Sequence, residues 1–143
     1  MNKQPTQGER EAPLRSLLAS AALGATMAVV LTVPVYGAAR LADSGLRVAA
    51  PGSTVGTVPL TAVIGACLAA AVASGLAATV LARRTHARRL YLSLASAGFV
   101  VSLGSPFGAA ETTATALWLC AMHFTAAIGV IAPTAHILGR TTS

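Results

Sequence analysis

Few residues of this chain could do chemistry, and His123 is the first of them. Among the Asp, Glu, Lys, Arg and His residues, His123 alone lies well inside an apolar run, the segment 112–138. A histidine in such a position serves either as a hydrogen-bonding group between helices or as a site for a proton or a ligand. The sequence leaves both roles open.

Two cysteines extend the chemistry available at this position. Cys120 precedes His123 by three residues, so a helix would place both on one face. Cys67 lies at a similar depth in the apolar run 58–82. Because thiolates and imidazole bind Zn²⁺ and Cu⁺, Cys67, Cys120 and His123 are a candidate metal site. The cysteines lack CxxC spacing, however, so we expect them to be packing residues and expect no cofactor.

The sequence lacks the motifs of common enzyme and nucleotide-binding classes. It contains no GxSxG, Walker loop, HExxH or Rossmann glycine pattern. No carboxylate lies inside an apolar run, which argues against the small proton-coupled multidrug exporters and leaves His123 without a second catalytic group. We therefore predict that the protein is not an enzyme and has no catalytic residues.

The composition is that of a polytopic membrane protein. Only 10% of the 143 residues are Asp, Glu, Lys or Arg, and 55% are hydrophobic, whereas about 25% of a soluble domain is charged. All of these charged residues lie outside four apolar runs, each long enough to cross a bilayer as a helix: 17–39, 58–82, 90–108 and 112–138. We predict an all-α bundle of four transmembrane helices with short loops. The bundle spans 17–138, between tails 1–16 and 139–143.

The basic residues predict the orientation of the bundle. A pI of about 10.8 would suggest nucleic-acid binding in a soluble protein. Here, eight of the ten basic residues fall in the two tails and in the loop between the second and third spans. The positive-inside rule then places both termini in the cytoplasm, with the protein in the bacterial cytoplasmic membrane, membrane lipids as partners and no nucleic acid bound. The expected topology anchors are four arginines of that loop: Arg83, Arg84, Arg88 and Arg89.

Small residues predict how the helices pack. Gly65, Ala69 and Ala73 recur at four-residue spacing in the second run, and Gly75 lies on another face. Gly24 belongs to a similar strip in the first run. Transmembrane helices associate through such faces because their backbones approach closely there. There are more of these faces than one bundle needs, so we expect a homo-oligomer or a larger membrane complex.

Three segments resemble a known family of membrane proteins. They are 102–106 (Ser-Leu-Gly-Ser-Pro), 113–117 (Thr-Ala-Thr-Ala-Leu) and 122–124 (Met-His-Phe), and the resemblance covers most of the chain. The family is an uncharacterised actinobacterial group of small four-helix membrane proteins, a domain-of-unknown-function family. Ser105 stands where Gly is expected, and Tyr91 where Trp is common. Because the family has no established activity, the resemblance implies the fold and an interest in His123, but no function.

These observations favour a structural or accessory membrane subunit that acts through helix-to-helix contact. The alternative is a small transporter, or a ligand- or metal-binding membrane protein, that uses His123. The two hypotheses differ in what His123→Ala would do. Assembly and stability should be unchanged if the first holds, and solute binding should be lost if the second holds.

Overall fold

Helices dominate the structure. A computed structural model describes residues 7–42, 45–49 and 54–141. The elements in chain order are α1 (Gln7–Leu41), β1 (Arg47–Val48), β2 (Gly56–Thr57), α2 (Leu60–Leu81), α3 (Ala87–Ser102), α4 (Gly104–Ala109) and α5 (Thr113–Thr141). Within these described residues, four helical segments are long and apolar enough to cross a membrane: Leu18–Leu41, Leu60–Leu81, Ala87–Ala109 and Thr113–Gly139. The predicted all-α, four-helix fold is confirmed.

The ends of the chain differ from the simple picture of spans and tails. Helix α1 begins at Gln7, within the predicted tail 1–16, and continues through Gly8 and Pro13 into the apolar run. The first six residues of that tail, and residues 142–143 of the predicted tail 139–143, lie outside the described residues.

The third span consists of two helices, α3 and α4, with a break at Leu103. Pro106 causes this break because it has no backbone N–H to donate to the carbonyl oxygen of Ser102. The Ser105 hydroxyl donates to that oxygen instead, at 2.9 Å. The span therefore continues as helix as far as Ala109.

The closest helix packing in the described chain joins α1 and α5. A Cβ added at Gly129 of α5 would lie 2.5 Å from the backbone nitrogen of Ala28 and 2.6 Å from its Cα. Gly24, one turn before Ala28, is also buried, and a Cβ there would lie 3.5 Å from the Cα of Val130. Further along α1, Thr32 is only 1% exposed and shares a hydrogen bond of 3.2 Å with Thr125 of α5.

A hairpin of β1 and β2 covers one end of the bundle, which we call the hairpin end. Strand β1 also bonds to the turn between α4 and α5, because Ala49 N–H donates to the Ala109 carbonyl at 2.8 Å and Glu111 N–H donates to the Arg47 carbonyl at 3.1 Å. Arg47 and Glu111 also form an exposed ion pair of 3.2 Å. Leu46 has a φ of 44°, which a leucine rarely adopts. Its side chain is fully buried against the helices, which offsets that strain.

Replacing Gly129 by Ala tests the close contact of α1 and α5. The added methyl group would overlap the backbone of Ala28, so the two helices must move apart, at an expected cost of about 1–3 kcal/mol in the free energy of unfolding. Unfolding in mild detergent measures this cost. Gly65→Ala is the matched control, because a Cβ at Gly65 meets nothing within 4 Å. Equal stability of the two variants would contradict this packing.

Candidate functional site

A groove runs along the bundle between α2, α3 and α5. Its volume is about 660 Å³, within the range of about 300–1,000 Å³ that is typical of small-molecule sites. The groove is partly open rather than enclosed, since α2 and α3 contact each other much less than α1 contacts α5. Its lining is mainly alanine and larger apolar side chains. The lining side chains that carry a hydroxyl, thiol or imidazole group are Thr32, Cys67, Ser74, Tyr91, Ser102 and His123.

Helix α2 presents three faces to different surroundings. Its packed face is buried against the other helices and carries Val63, Cys67, Ala71 and Ala78. Its groove face carries five alanines: Ala62, Ala66, Ala70, Ala73 and Ala77. Val63, Cys67 and Ser74 also line the groove beside them. Its outer face is exposed and lies outside the groove, with Gly65, Leu68, Ala69, Val72 and Leu76.

The small-residue strip that the sequence indicated on α2 is divided between two of these faces. Gly65 and Ala69 lie on the outer face, and Ala73 lines the groove. These three residues are exposed, so the other helices, as far as the structure describes them, leave them uncovered. The reason is that four residues turn a helix about 40° beyond one full turn, so a four-residue strip drifts around the helix. Gly75 does meet α1, where a Cβ at Gly75 would lie 3.1 Å from the Ala21 Cβ.

A chain of hydroxyl groups joins three helices near the loop 82–86, at the end of the bundle that we call the arginine-loop end. Ser74 Oγ lies 2.6 Å from Tyr91 OH and 3.3 Å from Thr134 Oγ1. Thr134 donates its hydrogen to the Val130 carbonyl at 3.0 Å, so Ser74 donates to Thr134 and Tyr91 donates to Ser74. Tyr91 and Thr134 are each 1% exposed. These bonds hold α3 against α2 and α5.

His123 lies on α5 at the wall of the groove. Its Nδ1 is 2.8 Å from the carbonyl oxygen of Leu119, one turn earlier on the same helix. A carbonyl oxygen only accepts hydrogen bonds, so Nδ1 carries the hydrogen. In the neutral imidazole, Nε2 is then an acceptor with a free lone pair. The described residues provide no hydrogen bond to Nε2, so this atom is available to a ligand.

The two cysteines differ in position. Cys67 is buried at 3% exposure and lines the groove, as His123 does. Cys120 is partly buried and does not line the groove. Within the described part of the chain, no three His, Cys, Asp or Glu side chains form a group that could hold a metal ion. The candidate set of Cys67, Cys120 and His123 is therefore not assembled as a metal site, because Cys120 lies off the wall that the other two share.

The four predicted topology anchors all lie at the arginine-loop end. Arg83 and Arg84 are exposed in the loop after α2, and Arg88 and Arg89 are exposed in the first turn of α3. None of them lines the groove. A Cβ added at Gly139 would lie 3.3 Å from Arg88 Cδ, so this cluster sits beside the end of α5.

Comparison with known proteins places the chain in a family. A family described as "Family of unknown function (DUF6069)" matches residues 12–140. The chain belongs to DUF6069. No similar curated protein and no similar solved structure was found. The expected membership in a family of unknown function is confirmed, and the actinobacterial source and the membrane nature of that family stay predictions.

Two features of this DUF6069 chain were not singled out from the sequence. Gly129 was one of 13 glycines, and no strip of small residues at four-residue spacing marked it. Tyr91 follows two arginines, which is typical of an aromatic residue at the membrane surface, yet it is buried and bonded to Ser74. This hydroxyl chain could have been predicted from the serine and threonine residues that lie within apolar runs at the same depth as Tyr91.

Proposed function

We propose that this DUF6069 protein is a non-enzymatic membrane protein that binds an apolar molecule in the groove between α2, α3 and α5. The observation that carries the proposal is the groove itself, with a volume of about 660 Å³ and with His123 in its wall. An alanine face on α2 leaves room for a ligand chain, and a few polar groups among apolar walls are the usual arrangement of a small-molecule site.

The non-enzymatic part of the proposal is supported by the groups that line the groove. Asp, Glu, Lys and Arg are absent among the described lining residues, so no charged side chain of the groove lining stands beside His123. Acid–base catalysis is commonly carried out by two titratable groups whose environments set their pKa values apart. Binding or passage of a solute requires no such pair.

Filling the groove tests this function. In nanodiscs of a neutral phospholipid, a dodecane that carries a photoreactive diazirine should label the groove residues Phe99 and Met122 saturably. Ala70→Phe should weaken this labelling by about tenfold, equivalent to about 1.4 kcal/mol, because its side chain fills the groove. Ala69→Phe is the matched control, since Ala69 is equally exposed but lies outside the groove. Unsaturable labelling, or equal labelling of both variants, would contradict the proposal. Peptide mass spectrometry measures the labelling.

A second candidate function is that of a structural or accessory subunit, and the outer face of α2 favours it. Gly65 and Ala69 are exposed there, and nothing within 4 Å would meet a Cβ at Gly65. A helix of a second copy, or of a partner membrane protein, can approach such a surface closely.

Light scattering in mild detergent tests this second function. The wild-type chain should be larger than a monomer, or should be isolated with a partner protein, and Gly65→Leu should disrupt that assembly. Ala66→Leu is the control, because Ala66 faces the groove. A wild-type protein that is strictly monomeric and free of partner protein would exclude this role.

We also propose that the protein resides in the bacterial cytoplasmic membrane with both termini in the cytoplasm, which rests on the charge of the loops. A membrane-impermeant maleimide applied to intact cells tests the orientation. In a Cys67→Ala, Cys120→Ala background, Val55→Cys in the hairpin should be labelled and Thr85→Cys beside the arginines should not. Both positions are exposed. The reverse pattern would refute the orientation.

A further inference from the structure

His123 has only one nitrogen available to a ligand, and the structure fixes what that nitrogen can do. Since Nδ1–H donates to the Leu119 carbonyl, Nε2 of the neutral ring accepts a hydrogen bond and cannot donate one. No buried side-chain nitrogen or oxygen of the described residues lacks a hydrogen-bond partner. Because Nε2 has none, it is accessible at the groove wall rather than sealed within the protein.

The hydroxyl hydrogens of the groove are already used within the chain. Each of the four lining residues with a hydroxyl takes part in a hydrogen bond within the chain: Thr32 with Thr125, Ser74 with Tyr91 and Thr134, and Ser102 with the Phe99 carbonyl. The thiol of Cys67 is a weak donor and a weak acceptor. The hydroxyl oxygens keep acceptor lone pairs, but an imidazole nitrogen is more basic than a hydroxyl oxygen. Nε2 of His123 is therefore the strongest acceptor that a ligand in the groove would meet.

The depth of His123 limits the kind of ligand group that can reach it. His123 follows the start of α5 at Thr113 by ten residues, or about 15 Å along a helix. That distance is half of a hydrocarbon core about 30 Å thick. Charged groups are costly at this depth, so phospholipid headgroups remain at the surface. A group that bonds to Nε2 must be small, neutral and able to donate a hydrogen.

We infer that the groove selects a neutral lipid-like molecule with an apolar chain and a hydroxyl group, and that this hydroxyl donates its hydrogen to Nε2 of His123. A hydroxyl is the simplest group that meets all three requirements. This inference rests on the proposed function of the groove as a binding site, and it adds the chemical class of the ligand.

Competition between two matched compounds tests the inference in the full-length protein. The photoreactive dodecane labels the groove, and either 1-dodecanol or dodecyl methyl ether competes at equal mole fraction in the nanodisc. The ether keeps the oxygen and lacks the hydroxyl hydrogen. We expect 1-dodecanol to compete about three- to tenfold better, which is the effect of one hydrogen bond.

Two variants assign that preference to His123. His123→Leu should still bind the hydrocarbon probe but should no longer distinguish the alcohol from the ether. His136→Leu is the matched control, because His136 is an exposed histidine on the same helix that does not line the groove. It should retain the full preference.

The outcomes separate this inference from the proposed function. If the probe labels the groove saturably but both compounds compete equally in the wild-type protein, the hydroxyl inference is wrong and the binding function stands. If a preference remains in His123→Leu, another group recognises the hydroxyl and the inference is wrong. If the probe does not label the groove saturably, bulk lipid occupies it and both proposals fail.

Discussion

The contact between the backbones of α1 and α5 is the constraint on which the rest of the bundle depends. Lipid chains are as apolar as the helix surfaces, so close van der Waals packing rather than water exclusion holds helices together in a bilayer. Gly129 lets the two helices approach closely at Ala28, and Thr32 adds a hydrogen bond to Thr125 farther along. Helix α1 also contacts α2 extensively. Thus α1 fixes the positions of both α2 and α5.

The groove follows from the weaker attachment of α3. Contacts of α3 with α2 and α5 are fewer than those of α1, and the hydroxyls of Tyr91, Ser74 and Thr134 concentrate the attachment near the arginine-loop end. Towards the hairpin end, α3 meets α5 through the tilted ring pair of Phe99 and Phe124. Alanines on α2 leave the space between these contacts open. A cavity beside a single accessible imidazole nitrogen is therefore built into the way the helices pack.

The sequence predicted the fold well because the bilayer imposes it. A chain with few charges and long apolar runs can cross a bilayer only as helices, because each backbone polar group must be bonded within the protein. The bounds of the four apolar runs lie within a few residues of those of the helical segments in the structure. The sequence also marked His123, since a polar side chain is conspicuous in an apolar run. It did not predict the packing in the same detail. The rotation of α2 about its axis decides which residues face the other helices, and it leaves Gly65 on the outside of the bundle. The importance of Gly129 depends on the helix backbone that lies opposite it.

Native mass spectrometry of protein released from its membrane in mild detergent tests most directly whether the groove holds a neutral apolar molecule. The wild-type chain should retain a non-protein mass, which Ala69→Phe should keep and Ala70→Phe should lose. A wild-type chain that emerges bare under these conditions, or a mass that Ala70→Phe retains equally, would contradict the proposed binding.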